Sequence, residues 1–161
     1  MEKFAAIVLS AGTGSRMKSD IPKQYMDLNG RPVIYYSLKA FEDSDVDSIV
    51  LVTGRDDIEY CRKEIVEKYG FTKVKAIIAG GAERYDSVFE GLKAVKDCDY
   101  VMIHDGARPM LSQDIIKRSW RGAVEYKACV AGMPVKDTIR VVADDGTAIS
   151  TPDRKSLWQI Q

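Results

Sequence analysis

The sequence predicts an α/β fold built on a mainly parallel, twisted sheet. Three observations carry that expectation. Five short apolar runs recur along the chain, at residues 4–9, 48–53, 74–79, 100–104 and 128–133. They are rich in Val, Ile or Ala, and the first four lead into Ser10, Gly54, Gly80 and Asp105, as suits strands buried on both faces. Helical periodicities separate the runs, and strand alternating with helix implies right-handed crossovers between parallel strands.

The helices follow in order. Residues 31–41 read as a helix with Pro32 near its first turn, where a missing N–H costs nothing. Ile58, Cys61, Ile65 and Tyr69 repeat at helical spacing, and Gly70 is a stop signal. Val88, Leu92 and Val95 mark the next helix, and Ser112 caps another that runs to about Tyr126. From Pro134 the pattern changes. Residues 135–142 alternate as a strand, Asp144-Asp145-Gly146-Thr147 reads as a hairpin turn, and residues 148–151 return. A lone hairpin is marginal in water, so this arm must pack on its own body or on a partner chain. The expected whole is one domain over residues 1–161: a Rossmann-like three-layer sandwich with a protruding β-hairpin arm. No internal repeat or low-complexity segment interrupts it.

Bulk composition excludes several function classes. The 161 residues give room for a real core, and 45% hydrophobic with 30% charged residues is ordinary for a globular domain. Lys plus Arg and Asp plus Glu balance at 24 each, so nothing points to nucleic acid or to an anionic membrane surface. Phosphate binding must come from local placement of cations. Cys61, Cys98 and Cys129 are scattered without a C-x-x-C pair, which argues for buried small hydrophobes in a reducing cytoplasm rather than zinc or redox chemistry. No stretch resembles a signal peptide or a membrane span.

In parallel sheets ligands sit beyond the carboxyl ends of the strands, so residues after each run are the candidates. Leu9-Ser10-Ala11-Gly12-Thr13-Gly14-Ser15-Arg16-Met17 is the richest segment. Small residues such as Ala11, Gly12, Thr13 and Gly14 let the backbone approach a ligand, and successive N–H groups cradle phosphate oxygens. Arg16 and Lys23 add two cations in the same loop. A dinucleotide fingerprint wants a third Gly where Met17 stands and an acid at the end of the second strand, where Gly54-Arg55 is found instead. The Walker pattern fails because no G-K-[ST] follows.

L-S-A-G-T-G-S-R-M followed by P-K-Q resembles the signature of sugar-phosphate nucleotidyltransferases, in particular the bacterial and plastid 2-C-methyl-D-erythritol 4-phosphate cytidylyltransferases of isoprenoid synthesis. Later segments agree in order: residues 79–88 (A-G-G-A-E-R-Y-D-S-V), His104-Asp105-Gly106-Ala107-Arg108-Pro109, Asp137-Thr138-Ile139, and Asp153-Arg154 with Leu157-Trp158. The resemblance runs from residue 5 to the last residue, and it implies a homodimer in the bacterial cytosol or plastid stroma. Family members continue past this point with a T-P-Q segment, another strand, a helix and a further lysine near the phosphates. The chain is therefore expected to lack that C-terminal segment.

The resemblance implies transfer of CMP from CTP to a polyol phosphate, with release of pyrophosphate. Two anions must meet, so positive charge has to be aimed at the phosphate oxygens. One cation about 4 Å away is worth about 4 kcal/mol at an effective dielectric of 20. By resemblance, Lys23 serves the α-phosphate region and Arg16 the charge developing on the triphosphate. Asp105, at a strand end, is either a turn aspartate or a ligand to Mg²⁺, and its H-D-G-A-R-P context favours the metal. His104 reads as a hydrogen-bonded, half-buried residue, since an ionised phosphate needs no strong base. Gly80, Gly81 and Ser87 either make an ordinary strand-to-helix turn or read the cytosine edges. Arg108 is a salt-bridge partner or a ligand to the acceptor, and the family favours the acceptor. Thr138 and Arg154 match family positions on an arm, residues 134–157, that crosses to a second subunit and completes its acceptor pocket; a guanidinium suits a phosphomonoester there. Two alternatives stay open. One is a ribitol 5-phosphate cytidylyltransferase. The other is a non-catalytic CTP-binding or dimerisation module.

Overall fold

The structure is a computed structural model and describes residues 2–12 and 21–160. It contains two compact units, Met1–Lys117 and Arg118–Gln161. The first is built on a four-stranded parallel sheet in the order β5-β4-β1-β6, with β1 at Phe4–Ser10, β4 at Ser48–Thr53, β5 at Val74–Ala79 and β6 at Tyr100–Asp105. Two further strands, β2 (Asp27–Leu28) and β3 (Arg31–Pro32), form a small antiparallel ladder before helix α1 (Val33–Glu42). Helix α2 (Ile58–Tyr60) runs directly into a π-helical stretch, Cys61–Glu67; α3 spans Arg84–Ala94 and α4 spans Gln113–Tyr126.

The central strands are apolar throughout because each face meets helices. Ala6 and Val8 of β1, with Ile49 and Leu51 of β4, pack on Ile34, Leu38 and Phe41 of α1, on Cys61 and Ile65, and on Ile116 of α4. Ile7, Leu9, Val50 and Val52 point the other way, against Val88 and Ala94 of α3 and Val95 just beyond it. The period of two along each strand thus feeds two cores, one per face. This is the expected three-layer arrangement. Gly91 marks how closely α3 lies: a Cβ there would stand 2.7 Å from Ile7 Cγ2.

The first four apolar runs form the strands as expected, and Gly70, at φ +68°, follows the helical stretch at the left-handed position that glycine favours. Ser112 caps α4 through its hydroxyl, which accepts the Ile115 N–H at 3.3 Å. Three details differ. The fifth run does not join the sheet as a parallel strand. Only Gly132–Pro134 is extended (β7), and it pairs antiparallel with Trp158–Ile160 (β10). An apolar run signals burial or pairing without naming the partner. Second, residues 31–32 belong to a hairpin and the helix opens at Val33. Asn29 and Gly30, at φ +55° and +79°, make the two-residue turn that joins β2 to β3. Third, of the three cysteines only Cys61 is fully buried; Cys98 is half-buried and Cys129 is exposed.

In the second unit the hairpin turn stands where expected. Strands β8 (Val141–Val142) and β9 (Ala148–Ser150) pair across it, the Ala143 N–H donates to Thr147 O at 2.9 Å, and Gly146 has φ +84°. The strand is much shorter than residues 135–142, because Val135 instead continues the β7–β10 pairing by donating to Leu157 O at 3.1 Å. Among the described residues no helix is long and apolar enough to cross a membrane.

Candidate active site

Parallel registration levels the carboxyl ends of the sheet. Leu9 stands beside Asp105, Ser10 beside Thr53, and Thr53 beside Ala79. The residues that follow therefore emerge at one edge: Ala11 and Gly12 after β1, Gly80 and Gly81 after β5, and Gly106 to Arg108 after β6.

Gly80 touches the first of these loops directly. A Cβ on it would meet Ser87 Oγ at 2.5 Å and Ala11 Cβ at 2.6 Å. Only a residue without a side chain lets the two turns approach this far. Gly80 donates to Thr53 O at 2.8 Å, and Gly81 donates to the buried Ser87 hydroxyl at 3.2 Å. Ser87 is not the helix cap. That role belongs to Glu83, in a capping box with Asp86. Ser87 is thus left to fix the glycine turn. A cavity of about 620 Å³ shares this turn as a wall and is also lined by Arg55 and by Glu90 and Lys93 of α3. It opens on the α3 flank and does not include Lys23, Asp105 or Arg108.

Lys23 begins a 3-10 turn, Lys23–Tyr25, and its side chain is exposed. The two residues after it are tied inward. Gln24 is 4% exposed and donates from Nε2 to Ser10 O at 2.6 Å and to Gly12 O at 3.0 Å. The Tyr25 hydroxyl lies 2.6 Å from Thr53 Oγ1 and 3.2 Å from Cys61 Sγ. Burial pushes both the Tyr25 phenol and the Cys61 thiol above their ordinary pKa values, so this network stays neutral.

Asp105 sits between two guanidiniums. Arg84, at the start of α3, donates from Nε and Nη2 to Oδ1 at 3.1 and 3.0 Å, and Arg108 donates from Nε to Oδ2 at 3.1 Å. Partial burial pushes the carboxyl up, but the hydrogen bonds from Arg84 and Arg108 outweigh it and leave its pKa below the ordinary value. The turn that carries Arg108 is held from below by the fully buried Ser37 of α1, whose hydroxyl lies 3.1 Å from both Gly106 O and Arg108 O. His104 is half-buried as expected: its Nε2–H donates to Arg108 O at 3.1 Å and its ring meets Phe41 edge-on. Burial lowers its pKa and keeps the imidazole neutral.

The first unit thus holds Ala11, Gly12, Lys23, Gly80, Gly81, Ser87, Asp105 and Arg108. Thr13, Gly14 and Arg16 lie outside the described residues. Thr138 and Arg154 belong to the second unit, where both are exposed. Arg154 donates to Lys136 O at 2.9 Å and so links the two sides of the arm next to Thr138. Sequence reasoning missed Arg84, Ser37, Tyr25 and Thr53. Ser37 carried a signal, a polar residue among the apolar positions Ile34, Leu38 and Phe41 of one helix face. Arg84 stands in the 79–88 segment that carries the family resemblance, but nothing local pairs it with Asp105, 21 residues on.

Level strand ends that carry glycine turns, with arginines and a lysine close by, define an α/β protein suited to binding a phosphorylated ligand beyond the carboxyl edge of its sheet. Sequence comparison narrows the class: residues 4–161 match the profile of IspD, 2-C-methyl-D-erythritol 4-phosphate cytidylyltransferase, and the chain belongs to that family. Curated relatives named 2-C-methyl-D-erythritol 4-phosphate cytidylyltransferase include that of Lachnospira eligens, 59% identical over 97% of this chain and 69% of the relative. Another, from Lachnoclostridium phytofermentans, is 51% identical over 100% of this chain and 69% of its own length. Among solved structures, the 4-diphosphocytidyl-2C-methyl-D-erythritol synthase of Anaerococcus prevotii superposes with a TM-score of 0.85 at 32% identity, covering 99% of this chain and 67% of that one.

Proposed function

We propose that this chain transfers CMP from CTP to 2-C-methyl-D-erythritol 4-phosphate, giving 4-diphosphocytidyl-2-C-methyl-D-erythritol and pyrophosphate. The observation that carries the reading is the contact of Gly80 with both Ala11 and Ser87. It joins a turn suited to reading a base to a loop suited to holding phosphates.

In this reading the backbone after β1, through Ala11, Gly12, Thr13 and Gly14, cradles the triphosphate of CTP. Gly80 and Gly81 face the cytosine through backbone groups, with Ser87 fixing their turn. Lys23 and Arg16 place positive charge against the α-phosphate and the leaving pyrophosphate, where it counts most in the transition state. The attacking oxygen belongs to the acceptor's ionised phosphomonoester, so no side chain has to remove a proton. His104, kept neutral by burial and tied to Arg108 O, is a structural residue of the turn.

Among the described residues no group of three or more His, Cys, Asp or Glu side chains could hold a metal ion. A single carboxylate is nonetheless what Mg²⁺ uses when substrate phosphates and water complete its shell. Asp105 fits that donor set; the bound cation would offset phosphate charge and take the place of guanidinium contacts on the carboxylate. Arg108, Thr138 and Arg154 serve the acceptor phosphate and hydroxyls. The arm, residues 134–157, pairs two chains into a homodimer and lends the last two of these residues to the neighbouring site.

The test is pyrophosphate release by the purified chain with CTP and Mg²⁺, comparing methylerythritol 4-phosphate, ribitol 5-phosphate and no acceptor. Release with methylerythritol phosphate alone is expected. Release with ribitol phosphate instead would transfer the chain to the sister activity. CTP binding without turnover on either acceptor would make it a binding module.

A further inference from the structure

Lys23 is exposed, yet the two residues after it are among the most firmly held at the carboxyl edge of the sheet. Gln24 contributes its amide nitrogen to two backbone carbonyls, Ser10 O at 2.6 Å and Gly12 O at 3.0 Å, from a side chain only 4% exposed. Both neighbours are carbonyl oxygens, so the nitrogen and not the oxygen of the amide must face them. Tyr25 turns to the other side and bonds Thr53 at the end of β4. The 3-10 turn is thereby pinned to the ends of two adjacent strands.

We infer that Gln24 is a positioning residue: it holds the carbonyls of Ser10 and Gly12 away from the ligand, so that the Ala11 N–H between them is left to face a phosphate, and it sets Lys23 at a fixed place beside these residues. This rests on the nucleotide-binding reading above. A carbonyl dipole aimed at a phosphate repels it, and one aimed at Gln24 does not. The peptides are trans, so with Ser10 O turned toward Gln24 the Ala11 N–H points the opposite way. Gly80 bears on Ala11. Residues 10–12 are therefore held by the glycine turn and by the Gln24 amide, and neither constraint uses a charged group that would compete for the ligand.

Three variants separate a clamp on the phosphates from a general prop of the fold. Gln24→Met keeps the volume and loses the donors. Gln24→Glu sets a carboxylate against two carbonyls. Tyr25→Phe loosens the other anchor of the same turn. Affinity is measured for CTP, for cytidine and for inorganic tripolyphosphate, with thermal melting alongside. The expectation is a CTP and tripolyphosphate affinity at least tenfold weaker in both Gln24 variants, with cytidine affinity within twofold of the parent and a smaller effect in Tyr25→Phe. Gln24→Glu should regain CTP affinity between pH 8 and pH 5.5, because a protonated carboxyl can donate again, while Gln24→Met should not. Should Gln24→Glu fail to fold, Gln24→Met carries the test. Equal losses for CTP and cytidine would overturn the clamp and make Gln24 a prop of the fold, and unchanged affinities in every variant would also overturn it. A parent chain that binds neither CTP nor tripolyphosphate would instead overturn the nucleotide reading beneath it.

Discussion

Replacing Gly80 with alanine tests the joint between the two turns. The new methyl would lie 2.6 Å from Ala11 Cβ and 2.5 Å from Ser87 Oγ. Carbon atoms rest at about 3.5–4.0 Å, so the loop at Ala11 has to retreat by about 1 Å. Overpacking of this kind costs about 1–3 kcal/mol. At about 2–4 °C per kcal/mol for a chain of this size, the melting temperature should fall by about 2–12 °C. Function should suffer more, since a misplacement of about 1 Å at a site that works by positioning costs on the order of a hundredfold. Gly91→Ala is the matched control. Its methyl would meet Ile7 Cγ2 at 2.7 Å, beneath α3 and away from the strand ends, and the better helix propensity of alanine offsets part of the strain by about 1 kcal/mol. The assay is kcat/KM for pyrophosphate release beside a thermal melt. A Gly80→Ala protein within twofold of the parent, or a Gly91→Ala protein that loses as much activity, would refute the reasoning.

Other outcomes follow from the same geometry. Lys23→Ala should lower turnover by about a hundredfold or more with an unchanged melting temperature, because an exposed lysine contributes little to stability; near-normal turnover would remove it from the site. Acid should destabilise the fold in two stages. The folded pKa of His104 is depressed, so its contribution is full above the unfolded value of about 6.5 and is lost as pH falls through the folded value. Asp105 is depressed as well, so its share is full above about 3.9 and is lost below that. Melting curves from pH 8 to pH 3 should therefore show a first decline that His104→Gln removes; an identical slope in that variant would assign the decline elsewhere. Arg154→Ala should raise KM for the acceptor phosphate at least tenfold while leaving CTP affinity unchanged, and sedimentation velocity on the parent should give a dimer. A fall in CTP affinity, or a monomer at all concentrations, would contradict the role given to the arm.

The sheet is legible because β1 and β4 are apolar on both faces, while the edge strands β5 and β6 are only half-buried, with Lys75 and Ile103 exposed, yet keep enough Val, Ile and Ala to read as strands. Residues 128–133 looked the same and behave differently: only Gly132–Pro134 is paired, and its partner lies in the separate stretch Trp158–Ile160. Pairing between distant segments leaves no local trace. The Asn29-Gly30 turn does leave one, but Pro32 close behind it suits the first turn of a helix as well as the end of a short strand. At the site, the glycine turns and Asp105 stand at strand ends, where sequence order alone puts them. The forces that fix them were harder to see. Gln24 belongs to the P-K-Q signature, but the sequence alone does not show that its amide lies buried against two carbonyls. Arg84 looks like a solvated helix-start cation until the sheet places Asp105 within its reach.

The most direct test of the central claim is phosphorus NMR of the chain with CTP, Mg²⁺ and methylerythritol 4-phosphate. The account predicts loss of the acceptor's phosphomonoester signal. Two mutually coupled resonances of an unsymmetrical diphosphate should appear, with one equivalent of free pyrophosphate. An unchanged acceptor signal, with CTP either intact or merely hydrolysed to CMP, would contradict it.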